Sequence, residues 1–416
     1  MFTGCISIHN EPGFTLLFDR RSLHGWRAVG APDGSYLVKD GAIICTPKGK
    51  NLFTEAEFSD FILRFEFKLD AGSNNGIGIR APFQGDAAYL GMETQVLEET
   101  AALAGKWGKL RPEQFHGSIY DVVPAKRGAL KPVGEWNEEE ISAVGRQIRV
   151  TLNGQVILDA NLNDVTDAEK IRKHPGLFRE RGHIGFLGHG DHVEFRNLRI
   201  KDLSQLARDG TPPPGFTSLF NGKNLDGWKG LVADPEKRAA MSPEQLAAEQ
   251  AKADDLMRAN WKIEDGALVY TGTNYDNLCT TQDFANFELL ADWKIEPHAD
   301  SGFYLRGSPQ VQIWDPFTQP TKNGSEIGSG GLYNNKTNPS QPTSVADKPV
   351  GEWNHFQIIM AGEKVHVFLN GQLIVNGATL ENYWDRSASI YPAGQLEIQA
   401  HKSRVWFKNL YVREIK

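Results

Sequence analysis

Phe14-Thr15-Leu16-Leu17-Phe18-Asp19, followed by Leu23-His24-Gly25-Trp26, returns as Phe216-Thr217-Ser218-Leu219-Phe220-Asn221, followed by Leu225-Asp226-Gly227-Trp228. The two tryptophans stand 202 positions apart. Glu135-Trp136-Asn137 recurs as Glu352-Trp353-Asn354, and Leu152-Asn153-Gly154-Gln155 as Leu369-Asn370-Gly371-Gln372, both offset by 217. Val193-Glu194-Phe195-Arg196-Asn197-Leu198 recurs as Val405-Trp406-Phe407-Lys408-Asn409-Leu410, offset by 212. An ordered series with small drifts in offset is a duplicated domain. Between the copies lies Asp209-Gly210-Thr211-Pro212-Pro213-Pro214-Gly215. Consecutive prolines donate no ladder hydrogen bond and hold an extended chain, so this stretch reads as a stiff connector. The expected domains are 12–205 and 215–416, joined by a Pro-rich linker at 206–214.

Each copy reads as strands. Phe61-Ile62-Leu63-Arg64-Phe65-Glu66-Phe67-Lys68 alternates with period two, which puts Phe61, Leu63, Phe65 and Phe67 on one face. Phe287–Ile295 is its counterpart. Asn153-Gly154 and Asn370-Gly371 are the dipeptides that a two-residue type I′ hairpin prefers. Many short antiparallel strands over about 190 residues predict an all-β fold, a two-sheet sandwich or jelly roll, in each copy. Copy two also carries an insertion of 23 residues at about 235–258. There Ser242-Pro243-Glu244-Gln245 carries an N-cap, a first-turn proline and a capping-box Gln, and so starts a helix. That helix is expected on the surface, at the joint between domains or at the mouth of a cleft.

The 416 residues carry 45 Lys+Arg against 52 Asp+Glu, a net charge of −7, which lacks the basic footprint of a nucleic-acid binder. No apolar run reaches the roughly 18 to 20 residues of a membrane-spanning helix. Cys5, Cys45 and Cys279 are too scattered for a disulfide framework or a zinc site. Neither a cofactor nor a metal is expected, since no Gly-rich phosphate loop, H-E-x-x-H or G-x-S-x-G occurs. Met1–Asn10 has neither a basic n-region nor an apolar h-region, yet Phe2-Thr3-Gly4-Cys5 resembles the end of a bacterial lipoprotein cleavage site. The expected location is extracytoplasmic if a leader precedes these residues and cytoplasmic otherwise.

Chemistry concentrates in matching segments. Copy one has Asn74-Asn75-Gly76-Ile77-Gly78-Ile79-Arg80 and Gly91-Met92-Glu93-Thr94-Gln95-Val96-Leu97-Glu98. Copy two has Asp300-Ser301-Gly302-Phe303-Tyr304-Leu305-Arg306 and Gln310-Val311-Gln312-Ile313-Trp314-Asp315. Alternation puts Gln310, Gln312 and Trp314 on one face. Amides and a guanidinium suit sugar hydroxyls and carbonyls, and an indole suits a pyranose face. Glu397, Gln399 and His401 alternate likewise, a set suited to acid–base work. Copy one keeps His189 at the place of His401 but has Leu187 where copy two has Gln399.

These motifs, with Trp261-Lys262-Ile263-Glu264-Asp265-Gly266, together resemble the 3-keto-disaccharide hydrolase domain family, once per copy. The resemblance implies concanavalin A-like jelly rolls acting on 3-ketoglycosides, by hydrolysis or by β-elimination to a 2-hydroxyglucal-type product. A ketone at C3 acidifies the C2 proton, so a placed base can abstract it and expel the C1 aglycone, while the enolate needs a positive or hydrogen-bonding partner. In copy two, Arg306 and Gln312 are expected on the substrate carbonyl and hydroxyls with Gln310, Gln399 and Glu397 beside them, and Trp314 under the ring. His401, Asp315 and Tyr333 are the proton-transfer candidates. Copy one offers a second set, Arg80, Glu93, Gln95, Tyr120 and His189. The partner expected is an oligosaccharide or glycoside. The competing readings are a glycan-binding protein without chemistry, or one catalytic and one binding copy.

Overall fold

The computed structural model describes residues 11–203, 210–318 and 324–415. Cys5 lies outside the described residues. The chain divides into two compact units, Met1–Ala207 and Arg208–Lys416.

Each unit is a β-sandwich of one eight-stranded and one five-stranded sheet, antiparallel throughout among the described residues. In the first unit the larger sheet is centred on Phe61–Leu69, between Trp136–Val144 and Val193–Asp202. Phe61, Leu63, Phe65 and Phe67 are all buried, as the alternation requires. In the second unit Phe287–Ile295 holds the same central place, between Asn354–Ala361 and Val405–Glu414. Both hairpins close through left-handed Asn-Gly pairs, with φ of 49° and 81° at Asn153-Gly154 and 52° and 81° at Asn370-Gly371. A type I′ turn needs positive φ at both residues, and its twist matches that of the flanking strands.

The smaller sheets position the sites. In the second unit the strand order is Trp228–Gly230, Leu278–Phe284, Gly394–Ile398, Asp300–Leu305 and Ser308–Trp314. Leu278, Leu396, Ile398, Phe303, Val311 and Ile313 enter the core. Cys279, Glu397, Gln399, Gly302, Tyr304, Gln310 and Gln312 therefore share the opposite, outer face.

The insertion folds as two helices, Pro235–Ala239 and Pro243–Asn260. The capping box forms: Ser242 Oγ accepts from Gln245 N at 3.2 Å, and Gln245 Oε1 accepts from Ser242 N at 2.9 Å. The longer helix satisfies the edge strand. Asp254 Oδ1 accepts from Gly230 N at 3.0 Å, and Gln250 Nε2 donates to Gly230 O at 2.8 Å. Two side chains thus take the part of a neighbouring strand at an otherwise open edge.

Candidate active site

The outer face of the second unit's smaller sheet brings together most of the residues that the alternation picked. Gln310 Nε2 donates to Gln312 Oε1. Gln312 Nε2 donates in turn to Asp300 Oδ1 at 2.7 Å. The other carboxylate oxygen, Asp300 Oδ2, stands 3.6 Å from His401 Nδ1. Burial pushes the Asp300 carboxyl up, against the opposing pull of His401 and Gln312. Ser403 ties the two halves of this pair: its Oγ accepts from Asp300 N at 2.9 Å and donates to Asp300 O at 3.1 Å. His401 stays partly open, with Tyr275 edge-on at 5.0 Å between ring centroids.

The floor beside this pair is Gly302, whose carbonyl accepts from Gln399 N at 2.9 Å. A Cβ on Gly302 would come within 2.7 Å of Val311 O, so the position admits no side chain. Gln399 Nε2 reaches Tyr304 Oη at 3.4 Å, while its Oε1 is buried without a hydrogen-bond partner. Glu397 is buried across the strand from Tyr304, and burial pushes its carboxyl up to about 8. Its cationic neighbour is Arg238 of the insertion, with Nη2 at 3.9 Å.

Four expected residues of the second unit stand elsewhere. By alternation Arg306 belongs with Asp300, Gly302 and Tyr304. Its φ of 54° breaks the alternation, and the guanidinium is buried on Ala285 O at 2.6 Å, Tyr391 O at 3.2 Å and Asn286 Oδ1 at 3.0 Å. Arg80 does the same in the first unit, with φ 49° and bonds to Ser59 O, Gly145 O and Asp60. Burial lowers both guanidinium pKa values to about 10. Neither arginine meets the outer face, so the expected contact with a substrate carbonyl is corrected to a structural one. Trp314 is only 4% exposed and its Nε1 donates to Gly328 O at 2.6 Å, so its ring is not an open platform. Tyr333, 48% exposed, lies edge-on to it at 5.2 Å. Asp315 is buried and caps a loop, accepting from the N–H groups of His298, Phe317 and Thr318 at 2.9 to 3.0 Å. Burial alone would raise its pKa, but those N–H donors hold it below the ordinary value.

The first unit presents a different outer face. Strand pairing sets Gly76 opposite Gln95 and Gly78 opposite Glu93, as Gly302 stands opposite Gln312. Asn74 therefore occupies the place of Asp300, Gly78 that of Tyr304, and Gly185 and Leu187 those of Glu397 and Gln399. Leu187 packs into an apolar cluster with Phe53, Ala81 and Ala87. Glu93 folds over Gly76, where a Cβ would collide with its carboxyl group, and its Oε1 is buried without a partner. Burial, with Asp86 adding repulsion, pushes Glu93 up to about 8. Gln95 is buried and accepts from Val96 N, whereas Tyr120 is half-buried with Gln114 Nε2 at 3.3 Å from its hydroxyl. The His189 side chain is exposed, yet desolvation by its surroundings lowers its pKa.

Sequence reading missed Asp300, Tyr304 and Arg238. The first two were available from the same alternation that picked Gln310 and Gln312, whereas nothing in the insertion marks Arg238. Among the described residues no group of three or more His, Cys, Asp or Glu side chains is placed to hold a metal ion.

These features define a tandem pair of jelly-roll β-sandwiches, each with polar groups on the outer face of its smaller sheet. The chain belongs to the 3-keto-alpha-glucoside-1,2-lyase-like domain family, which matches it twice, over residues 13–201 and 215–413. A 3-keto-disaccharide hydrolase of Bacteroides thetaiotaomicron is 29% identical over 229 residues, covering 46% of this chain and 79% of that protein. A solved structure of a candidate glycosyl hydrolase from Parabacteroides distasonis is 26% identical, covering 46% of this chain and 99% of its own, with a TM-score of 0.41. A carbohydrate-binding module from Bacillus subtilis is 14% identical, covering 43% and 96%, with a TM-score of 0.30.

Proposed function

We propose that the second unit cleaves 3-keto-glycosides by abstracting the C2 proton and expelling the C1 aglycone. The observation that carries this reading is the Asp300–His401 pair on a face otherwise lined by amides and a phenol. A carboxylate beside Nδ1 fixes the imidazole tautomer and leaves Nε2 free to accept a proton. His401 is the base and Asp300 orients it. Gln312 fixes Asp300 through its Nε2. Tyr333, rather than Trp314, is the open ring against which a pyranose can lie. In hydrolysis, water adds to C1 of the resulting enone. In elimination, the enone is the product.

A ring oxidised at C3 and its unoxidised parent, offered side by side, test the reaction. Cleavage of the ketone alone is expected, with C2 exchange in D2O that His401→Ala abolishes. Turnover of neither, with glycan binding retained, would overturn the enzyme reading.

For the first unit a binding role without chemistry is favoured. Asn74 stands where the second unit has the Asp300 carboxylate, and Leu187 replaces the amide. Glu93 and Tyr120 remain there as hydrogen-bonding groups. Selective loss of activity on His401→Ala, with His189→Ala nearly unaffected, is the expected outcome.

A further inference from the structure

Expelling a sugar or alkyl alkoxide requires a proton at the glycosidic oxygen as the bond breaks, and no residue discussed above supplies it. Tyr304 stands in the right place. It is half-buried on the outer face, four residues from Asp300 on the same strand, about 13 Å at 3.3 Å per residue. Gly302 lies midway and has no side chain of its own, with the Gln310 amide 3.3 Å from where its Cβ would stand, so a ring in the gap between His401 and the phenol lies against that amide. The phenol leans toward that gap, because Gln399, anchored through its N–H to Gly302 O, reaches Tyr304 Oη at 3.4 Å.

The hydrogen bonding leaves the phenolic proton unused. Gln399 Nε2 donates to the phenol oxygen at 3.4 Å. A tyrosine oxygen has two lone pairs and one O–H. With an amide on one lone pair, the O–H is left for an acceptor on the open face. Burial, reinforced by Glu397 directly across the ladder, pushes the phenol up to about 12, so it keeps its proton at neutral pH. The first unit has glycine at both places, Gly78 for Tyr304 and Gly185 for Glu397. The phenol and the carboxyl behind it are present or absent together.

We infer that Tyr304 is the proton donor to the departing aglycone oxygen, with Glu397 and Arg238 as positioning residues behind it. The inference rests on the C2-abstraction reading above. His401 Nε2 takes the C2 proton, and the electron pair of the C2–H bond becomes the C1=C2 double bond. The C1–O1 bond breaks, and O1 takes the Tyr304 proton and leaves as an alcohol. The imidazolium proton returns to the tyrosinate through water, so protons balance over the cycle.

Two 3-keto-glucosides, one with a sugar aglycone and one with a 4-nitrophenyl aglycone, test the assignment on wild type and Tyr304→Phe. A nitrophenolate leaves without assistance, whereas a sugar alkoxide does not. The expected result is a fall in kcat/KM of about 100-fold or more for the sugar aglycone and less than about 5-fold for nitrophenyl. Retained nitrophenyl turnover also shows that the variant is folded. Equal losses on both substrates would overturn the assignment. A wild type inert on both would overturn the functional reading itself, before any variant is made.

Discussion

Asp300 Oδ2 lies 3.6 Å from His401 Nδ1, while the first unit sets Asn74 in the place of that carboxylate. The duplication has kept the histidine and changed the residue at that place, and the carboxylates that act on His189 are Asp191 and Asp86. An amide can hold an imidazole but cannot stabilise the imidazolium that forms when a base takes a proton. Asp300→Asn should lower kcat by about 100-fold or more, with little change in KM. Steady-state kinetics on a 3-keto-glucoside check this, and an unchanged kcat would remove Asp300 from the mechanism.

Arg306→Gln should act on folding rather than on sugar recognition. The buried guanidinium satisfies Ala285 O, Tyr391 O and Asn286 Oδ1, partners that are themselves only partly covered. A buried polar group left unmet costs about 1–3 kcal/mol and water can reach part of this set, so a loss on the order of 1–3 kcal/mol in urea unfolding is expected. Arg80→Gln should behave alike in the first unit. A stable variant with only a raised KM would return Arg306 to the sugar site.

Stability should fall as pH rises through the neutral range. Glu93 and Glu397 ionise near 8 when folded but near about 4.3 when unfolded. Between those values the unfolded chain releases protons that the folded chain retains, so stability declines over this window and levels off above pH 8. Glu93→Gln and Glu397→Gln should each flatten that decline, with a gain on the order of a few kcal/mol at pH 8. Urea unfolding at pH 5 and pH 8.5 reads the difference. A slope unchanged in both variants would mean that these carboxyls are already ionised.

The first unit buries a histidine–carboxyl contact at a place where the second has none. His116 Nε2 stands 3.0 Å from Glu139 Oε2, both inaccessible to solvent. By the repeat offsets the second unit has Ser329 and Phe356 at these places. Removing one partner strands the other, so His116→Ser or Glu139→Phe alone should destabilise by about 1–3 kcal/mol. The double variant, which copies the second unit, should lose less than the sum of the two. A double-mutant cycle measures this coupling. Strict additivity would show that the pair does not interact.

Much of the fold is readable along the chain because its determinants are local. Period-two alternation at Phe61–Phe67 sets which side chains enter the core, and Asn153-Gly154 sets the hairpin twist. The capping box at Ser242 starts its helix for the same local reason. Alternation also placed Gln310, Gln312, Gln399 and His401 on one face, which the sheet register then joins. It failed at Arg80 and Arg306 because one left-handed residue at a strand end turns the side chain out of register. It failed differently at Trp314, which has the expected parity but is covered by the loop that supplies Gly328 O.

By itself the sequence determines that this protein is two related β-sandwiches from one family, since repeats, turn dipeptides and strand periodicity act over a few residues. It also shows that the copies differ at Asn74 and Asp300, at Gly78 and Tyr304, and at Leu187 and Gln399. Which of those differences share one surface was decided only by the tertiary structure. Ladder register sets Gly302 against Gln312 and Tyr304 against Glu397, and a helix from an insertion brings Arg238 to the buried carboxyl. Such contacts join residues far apart in the chain, and no local pattern encodes them.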